Sequence, residues 1–224
     1  MKSIGLILVS GGMDSLVCAA IANQKHERLA FLHLTYGQKT GAKEKSCFKL
    51  IADHYHVASE DRKIVDISFL SQIGGSSLTD EKLRVANYWD GSETTIPSSY
   101  VPFRNTHILA MAVSWAEVID AKDIYIGANY EDSPGYPDCS PEYYQAFNQL
   151  IKAGTKEGDI QVRTPVLMDR KEAIVKKAVD LKAPLELSWS CYKEESAACG
   201  VCDSCALRLR GFKRAGMKDP LPYI

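Results

Sequence analysis

The segment Ser10-Gly11-Gly12-Met13-Asp14-Ser15 constrains this chain more than any other, because of what flanks it. An apolar run, 4–9, precedes it and an apolar-periodic stretch, 16–22, follows, so the order is strand, tight glycine turn, helix. Gly11 and Gly12 carry no Cβ, which lets the backbone turn sharply and bring its N–H groups close to an anion. A helix starting near Asp14 or Ser15 aims its positive dipole end at the same point. Ser10 and Ser15 add hydroxyl donors, and Asp14 stands where a carboxylate would hold a magnesium ion bridging phosphate oxygens. These features predict a polyphosphate site at the carboxyl edge of a parallel sheet.

The loop lacks the Gly-Lys-Ser/Thr ending of a Walker A motif and the G-x-G-x-x-G of a dinucleotide fingerprint. Instead, S-G-G-M-D-S resembles the pyrophosphate loop of the N-type ATP pyrophosphatases. That resemblance implies cleavage of ATP between its α and β phosphates, with adenylation of a substrate oxygen. The plainer alternative, a strand-to-helix turn with no ligand, leaves the agreement of residue types, spacing and context unexplained.

Apolar runs at 29–34, 64–67, 123–127 and 160–163 alternate with helical stretches at 42–54, 105–121, 141–153 and 170–181. Alternation of this length predicts an α/β protein with a doubly wound parallel sheet of Rossmann type. In the helix at 42–54, Cys47, Leu50 and Ile51 are expected to face inward. Ser140-Pro141 is a good helix start, and Asp169 to Glu172 reads as a capping box. Residues 71–99, rich in Gly, Ser, Thr and Pro, read as a long surface insertion with a short helix at 79–87, a lid or an ordinary loop.

A length of 224 residues suits one such domain with a small appendage, and the only plausible boundary lies near Pro184. That divides the chain into an ATP-binding domain, 1–183, and a C-terminal metal-binding region, 184–224, packed on it. A net charge of −1 provides no bulk attraction to nucleic acid, so no nucleic-acid partner is expected. No stretch is long enough to cross a bilayer, and the cytoplasm is the expected compartment.

Four of the seven cysteines, Cys191, Cys199, Cys202 and Cys205, fall within fifteen residues. This C-x7-C-x2-C-x2-C spacing points to a metal held by four thiolates with no open position, zinc or, less simply, an iron–sulfur cluster. The basic tail, Arg208, Arg210, Lys213, Arg214 and Lys218, reads as a solvated helix face, with phosphate or tRNA binding as the sharper alternative.

Loop and cysteine cluster together resemble the 7-cyano-7-deazaguanine synthase family, over essentially the whole chain. Between them, Leu34-Thr35-Tyr36-Gly37-Gln38, Val101-Pro102-Phe103-Arg104-Asn105-Thr106, Gly135-Tyr136-Pro137-Asp138-Cys139, Thr164-Pro165-Val166 and Trp189-Ser190-Cys191-Tyr192 look like that family's segments, in its order. Phe103, where a small residue is expected, and His107 depart from the pattern. The resemblance implies an adenine nucleotide alpha hydrolase-like fold and a ligase joining ammonia to 7-carboxy-7-deazaguanine, giving the nitrile through an adenylated carboxylate and then an adenylated amide.

It implies nucleotide contacts from Leu8, Val9, Ser10, Gly11, Gly12, Met13, Asp14, Ser15, Leu16, Val17 and Cys18. Asp14, Arg104 and Lys171 are the expected catalytic residues, steadying charge on the phosphates. Recognition of the deazaguanine falls to Asp132 or Asp138 as carboxylate and Tyr130 or Tyr136 as stacking platform. ATP, Mg2+ and Zn2+ are the implied cofactors, a homodimer the implied assembly. The rival reading is a tRNA-modifying enzyme on the same loop, a thiolase or lysidine-type ligase. It would need a tRNA surface, and for a thiolase a cysteine pair that Cys18, Cys47 and Cys139 do not form.

Overall fold

The computed structural model describes residues 3–87, 96–130 and 136–224. β1 (Ile4–Leu8) sends Leu6 and Leu8 into one apolar cluster and Ile7 into another, on opposite faces of the strand. β2 (Arg28–Thr35) repeats the alternation: Leu29 and Phe31 join Ile7, while Ala30, Leu32 and Leu34 join Leu6. A strand apolar on both faces has to be covered on both, which is the sequence signature of a parallel sheet with helices above and below.

The remaining strands are β3 (Arg62–Asp66), β4 (Asp123–Ile126) and β5 (Gln161–Arg163). All neighbours pair in parallel, in the order β3-β2-β1-β4-β5. One cluster draws on helices α1 (Met13–Lys25) and α2 (Gly41–His54), and on the later α6 (Lys171–Asp180) and α7 (Asp203–Arg214). The other draws on α3 (Phe69–Ile73), α4 (Arg104–Ile119) and α5 (Pro141–Gly154). The winding reverses between β1 and β4. Their carboxyl ends therefore diverge into a crevice, the place where open α/β sheets bind ligands.

The expected doubly wound parallel sheet is present, and α5 starts as expected, with Ser140 Oγ accepting from the Tyr143 N–H at 3.1 Å. Residues on both sides of Pro184 share a single apolar cluster: Trp189, Cys202 and Phe212 pack with Ile7, Leu16 and Ile174.

Four expectations are corrected. Leu50 is 47% exposed, and Phe48 takes the inward place. The buried stripe of α2 is Cys47, Phe48, Ile51 and Ala52, a helical period that leaves position 50 off its face. No helix forms in the described part of 79–87. Just before it Ser76 Oγ accepts from the Leu78 N–H, and within it Asp80 Oδ1 accepts from the Lys82 N–H, local bonds that favour turns over helix. The same segment is not purely superficial, since Ser76, Ser77 and Leu78 are buried.

The capping box at Asp169 does not form either. Arg170 is the N-cap of α6, with no side-chain cap, and the Asp169 carboxylate pairs with Lys177. An ammonium within reach is a stronger partner than a neutral N–H. Finally, Arg208 is not on a solvated face. It is 1% exposed, with its guanidinium donating to both oxygens of Asp219 at 2.7 and 3.0 Å and to Ser188 Oγ at 2.9 Å. Among the described residues, no helix is long and apolar enough to cross a membrane.

Candidate active site

Past β1, the Val9 N–H still reaches Leu32 O at 2.9 Å, and the chain then turns at Gly11 with φ +88°. Only glycine fits: a Cβ there would lie 2.9 Å from Glu44 O and would carry a positive φ. α1 begins at once, with Gly12 as N-cap and no side chain closing its first turn. Ser10 Oγ accepts from the Gly12 N–H and donates to Ser15 Oγ, which donates to Gly12 O, so the loop is held by its own hydroxyls. Its first-turn N–H groups are left to an anion. Gly127, just past β4, is pressed against this turn: a Cβ there would sit 2.5 Å from the Ser15 nitrogen.

A cavity of about 810 Å³ opens over the loop. Leu8, Val9, Ser10, Gly12, Met13, Asp14 and Ser15 line it, as do Arg104, Tyr136 and Lys171. Gly11 shapes the turn without lining the cavity, and Leu16, Val17 and Cys18 are wholly buried, supporting α1 from within the core. Burial pushes the Cys18 thiol far above its ordinary range, so it stays protonated and apolar.

Lys171, at the start of α6, donates to both oxygens of Asp14 at 3.0 and 2.9 Å, across 157 residues of chain. Arg104, at the start of α4, donates to Tyr36 Oη at 3.2 Å with its guanidinium 5.3 Å from that ring. Phe103, the unexpected residue before it, is 57% exposed at φ +58° and lies edge-on to His107, so it packs outside the cavity.

Of the three described residues considered for the deazaguanine, Tyr130, Tyr136 and Asp138, only Tyr136 lines the cavity, its hydroxyl 2.7 Å from Ser99 Oγ. Tyr130 is 42% exposed and outside the wall. Asp138 is buried behind it, accepting from the Asn105 N–H at 3.0 Å and thereby holding the start of α4. Asp132 lies outside the described residues.

Two acidic wall residues, Glu44 and Asp203, went unremarked in the sequence as site candidates, and Arg210 was read there only as part of the basic tail. Glu44, in the first turn of α2, lines the cavity while accepting from Gln38 Nε2 at 2.8 Å and Thr40 Oγ1 at 3.2 Å. Burial pushes its carboxyl up to about 7, against those hydrogen bonds and the Arg104 charge. Asp203 and Arg210 reach the wall from α7. The only signal for Glu44 was an acidic residue at a helix start just beyond the second strand.

The four cysteines converge as the spacing required: their sulfurs all lie within 4.8 Å of one another. Tetrahedral Zn–S bonds of about 2.3 Å place sulfurs roughly 3.8 Å apart, and Cys199 and Cys205 are at 4.0 Å. Backbone N–H groups of Lys193, Glu194 and Cys199 point at Cys191 Sγ, and that of Cys202 at Cys199 Sγ, donors that suit thiolates. The set fits a metal ion. It also borders the cavity, because Cys191, Tyr192 and Asp203 line it.

Fold and site together define a parallel α/β protein in which a glycine turn at a helix start and a four-thiol cluster that could hold a metal border one cavity. More particularly, residues 4–216 match the model of the queuosine biosynthesis protein QueC, and the chain belongs to that family. It is 55% identical to a 7-cyano-7-deazaguanine synthase from Chlorobium phaeobacteroides, over all of this chain and 97% of that one. A 7-cyano-7-deazaguanine synthase from Koribacter versatilis is 50% identical, over 97% of this chain and 92% of its own. Among solved structures, an NH3-dependent NAD synthetase from Campylobacter jejuni superposes with a TM-score of 0.47 at 16% identity, covering 83% of this chain and 66% of its own. A likeness that loose decides nothing about this chain.

Proposed function

We propose that this chain converts 7-carboxy-7-deazaguanine and ammonia to 7-cyano-7-deazaguanine, an ATP-dependent carbon–nitrogen ligation in queuosine biosynthesis. The observation that carries the reading is identity of 55% with a synthase of that name across the full length of this chain. The cavity supports it, since a phosphate loop and a cationic and aromatic wall enclose a single space.

A carboxylate is a poor electrophile. Its oxygen therefore attacks the α-phosphorus of ATP, expelling pyrophosphate and leaving an acyl adenylate. Ammonia displaces AMP to give the amide. Adenylation of the amide oxygen and loss of a second AMP leave the nitrile. The protein needs no nucleophile of its own for this sequence, only positioning and charge. The N–H groups of residues 10–15 hold the leaving pyrophosphate, with Ser10 and Ser15 as further donors. Lys171 and Arg104 offset negative charge on the phosphates, and Lys171 also keeps Asp14 oriented. Tyr136 offers a ring for the deazaguanine.

The Asp14 carboxylate would hold magnesium, which would offset negative charge on the phosphates. Zinc at Cys191, Cys199, Cys202 and Cys205 would fix the segment 191–205 and the wall it forms. In this reading residues 1–183 form the ATP-binding domain, 184–224 the metal-binding region packed on it, and the protein works as a cytoplasmic homodimer.

The test incubates purified protein with ATP, magnesium, ammonium and 7-carboxy-7-deazaguanine and follows products by mass spectrometry. Nitrile appearing with AMP and pyrophosphate is the expected result. ADP and phosphate would sink adenylation, and ATP consumption that requires tRNA would sink the substrate.

A further inference from the structure

We infer that the Glu44 carboxylate is the proton acceptor for the nitrogen nucleophile; this rests on the reaction proposed above and adds a group that the reaction needs. Nitrogen enters as ammonium, bearing four protons, and leaves in a nitrile bearing none. Ammonium has no lone pair to attack with, so one proton must go before the first bond forms. Water can take that proton outside the cavity, but a base inside it lets bound ammonium itself serve as the nitrogen source and can take each proton lost later.

Among the described residues, the cavity wall carries no histidine and three carboxylates, Asp14, Glu44 and Asp203. Asp14 is engaged by Lys171. Asp203 follows Cys202 at the head of α7, beside the metal-binding sulfurs. Glu44 is the one held by neutral partners, Gln38 and Thr40, each on a different oxygen.

Its placement is fixed from two sides. Gln38 is itself held, its Oε1 accepting from the Tyr36 N–H at 2.8 Å. The first turn of α2 lies against the phosphate loop, since a Cβ on Gly11 would come within 2.9 Å of Glu44 O. An ionised carboxylate accepts about four hydrogen bonds, so two remain for ammonium. Thr40 can turn its hydroxyl from donor to acceptor once Glu44 carries a proton.

The charged and titratable groups acting on Glu44 are Arg104 from α4, Tyr36 just past β2, Cys47 from α2 itself and Glu195 from the cysteine segment. Burial outweighs Arg104 and leaves the carboxyl near neutrality, where a general base works best.

The steps balance as follows. Ammonium gives one proton to Glu44 and becomes ammonia. The nitrogen lone pair forms the C–N bond to the acyl carbon, and the C–O bond to AMP breaks with its electrons on the AMP oxygen. The nitrogen sheds a second proton to become the amide. After the amide oxygen displaces pyrophosphate from ATP, the last two protons leave as that C–O bond breaks and the triple bond forms. Glu44 passes each proton to water between steps.

The test uses two nucleophiles on the full-length protein. Hydroxylamine is already neutral at neutral pH and captures an acyl adenylate as the hydroxamate without prior deprotonation. Glu44→Gln should keep substrate-dependent pyrophosphate–ATP exchange and hydroxamate formation within about threefold of wild type, while losing about 100-fold or more in nitrile formation from ammonium. Parallel loss of hydroxamate and nitrile, or loss of neither, overturns the proposal. So does Asp203→Asn producing the split instead.

Should Glu44→Gln fail to fold, wild type alone decides. With Glu44 deprotonating bound ammonium, amide formation at fixed total ammonium levels off above about pH 7. A rise of about tenfold per pH unit continuing past that point means free ammonia reacts directly, and Glu44 is not the base. Absence of any substrate-dependent exchange in wild type would overturn the proposed function itself, a separate result.

Discussion

The phosphate loop and the rest of the cavity wall differ in how they are made. The loop is one run of consecutive residues whose working groups are backbone N–H, set by two glycines and two serines that bond one another. The rest of the wall is assembled from β2, α2, α4, α6, α7 and the cysteine segment, and its working groups are side chains held by other side chains. Gln38 holds Glu44, Tyr36 holds Arg104, and Lys171 crosses the molecule to Asp14. A site built from backbone depends on local conformation. One built from distant side chains depends on the whole core and, here, on a four-cysteine segment that is part of that core.

Removing metal should have the largest effect. Small structural zinc sites contribute about 10–16 kcal/mol to their folded state, as much as the entire stability of many domains. Cys202→Ser, or a strong chelator, should abolish metal binding and unfold the region around 184–224, read by metal content and by proteolysis. If the region around 184–224 stays folded without metal, that part of the wall does not depend on the cysteine segment and the comparison fails.

Arg208→Met comes next. It leaves the Asp219 carboxylate buried without its guanidinium, a cost of about 3–5 kcal/mol, visible as a lower midpoint in denaturant. An unchanged midpoint would mean that the pair carries no stability.

Gly11→Ala attacks the other part of the wall. A positive φ costs about 1–2 kcal/mol for a residue with a Cβ, and the contact with Glu44 O adds to it. Nucleotide affinity should fall by tenfold or more while metal content stays at the wild-type level, because the strain is local. Loss of metal as well would show that the loop is not self-contained.

The smallest effect sharpens the reading of α2. Leu50→Ala should change stability by less than about 0.5 kcal/mol, whereas Phe48→Ala should cost about 3–5 kcal/mol. Thermal unfolding of the two variants side by side decides it.

Leu50 and Phe48 also mark where reading the sequence runs short. Apolar residues at 47, 48, 50 and 51 allow more than one inward face, and packing against β1 and β2 selects the face with Phe48. Asp169 satisfied a local capping pattern, yet Lys177 drew its carboxylate away. Arg208 belonged to a basic run, and only burial beside Asp219 separated it from the exposed Lys213, Arg214 and Lys218. The deazaguanine side is the least legible: of the described candidates Tyr130, Tyr136 and Asp138, only Tyr136 is found on the cavity wall.

What the chain determined by itself is what short-range physics controls. Glycines permit the positive-φ turn, Ser140 caps α5, apolar runs on both faces demand a covered parallel sheet, and cysteine spacing brings four sulfurs within reach of one ion. Each follows from bonds and sterics within a few residues or from a simple repeat. Tertiary structure alone decided which charges pair, which helix face is buried and which carboxylate stands near neutrality in the cavity. Those outcomes depend on desolvation, on which of several near partners wins and, for Lys171 and Asp14, on a contact across 157 residues.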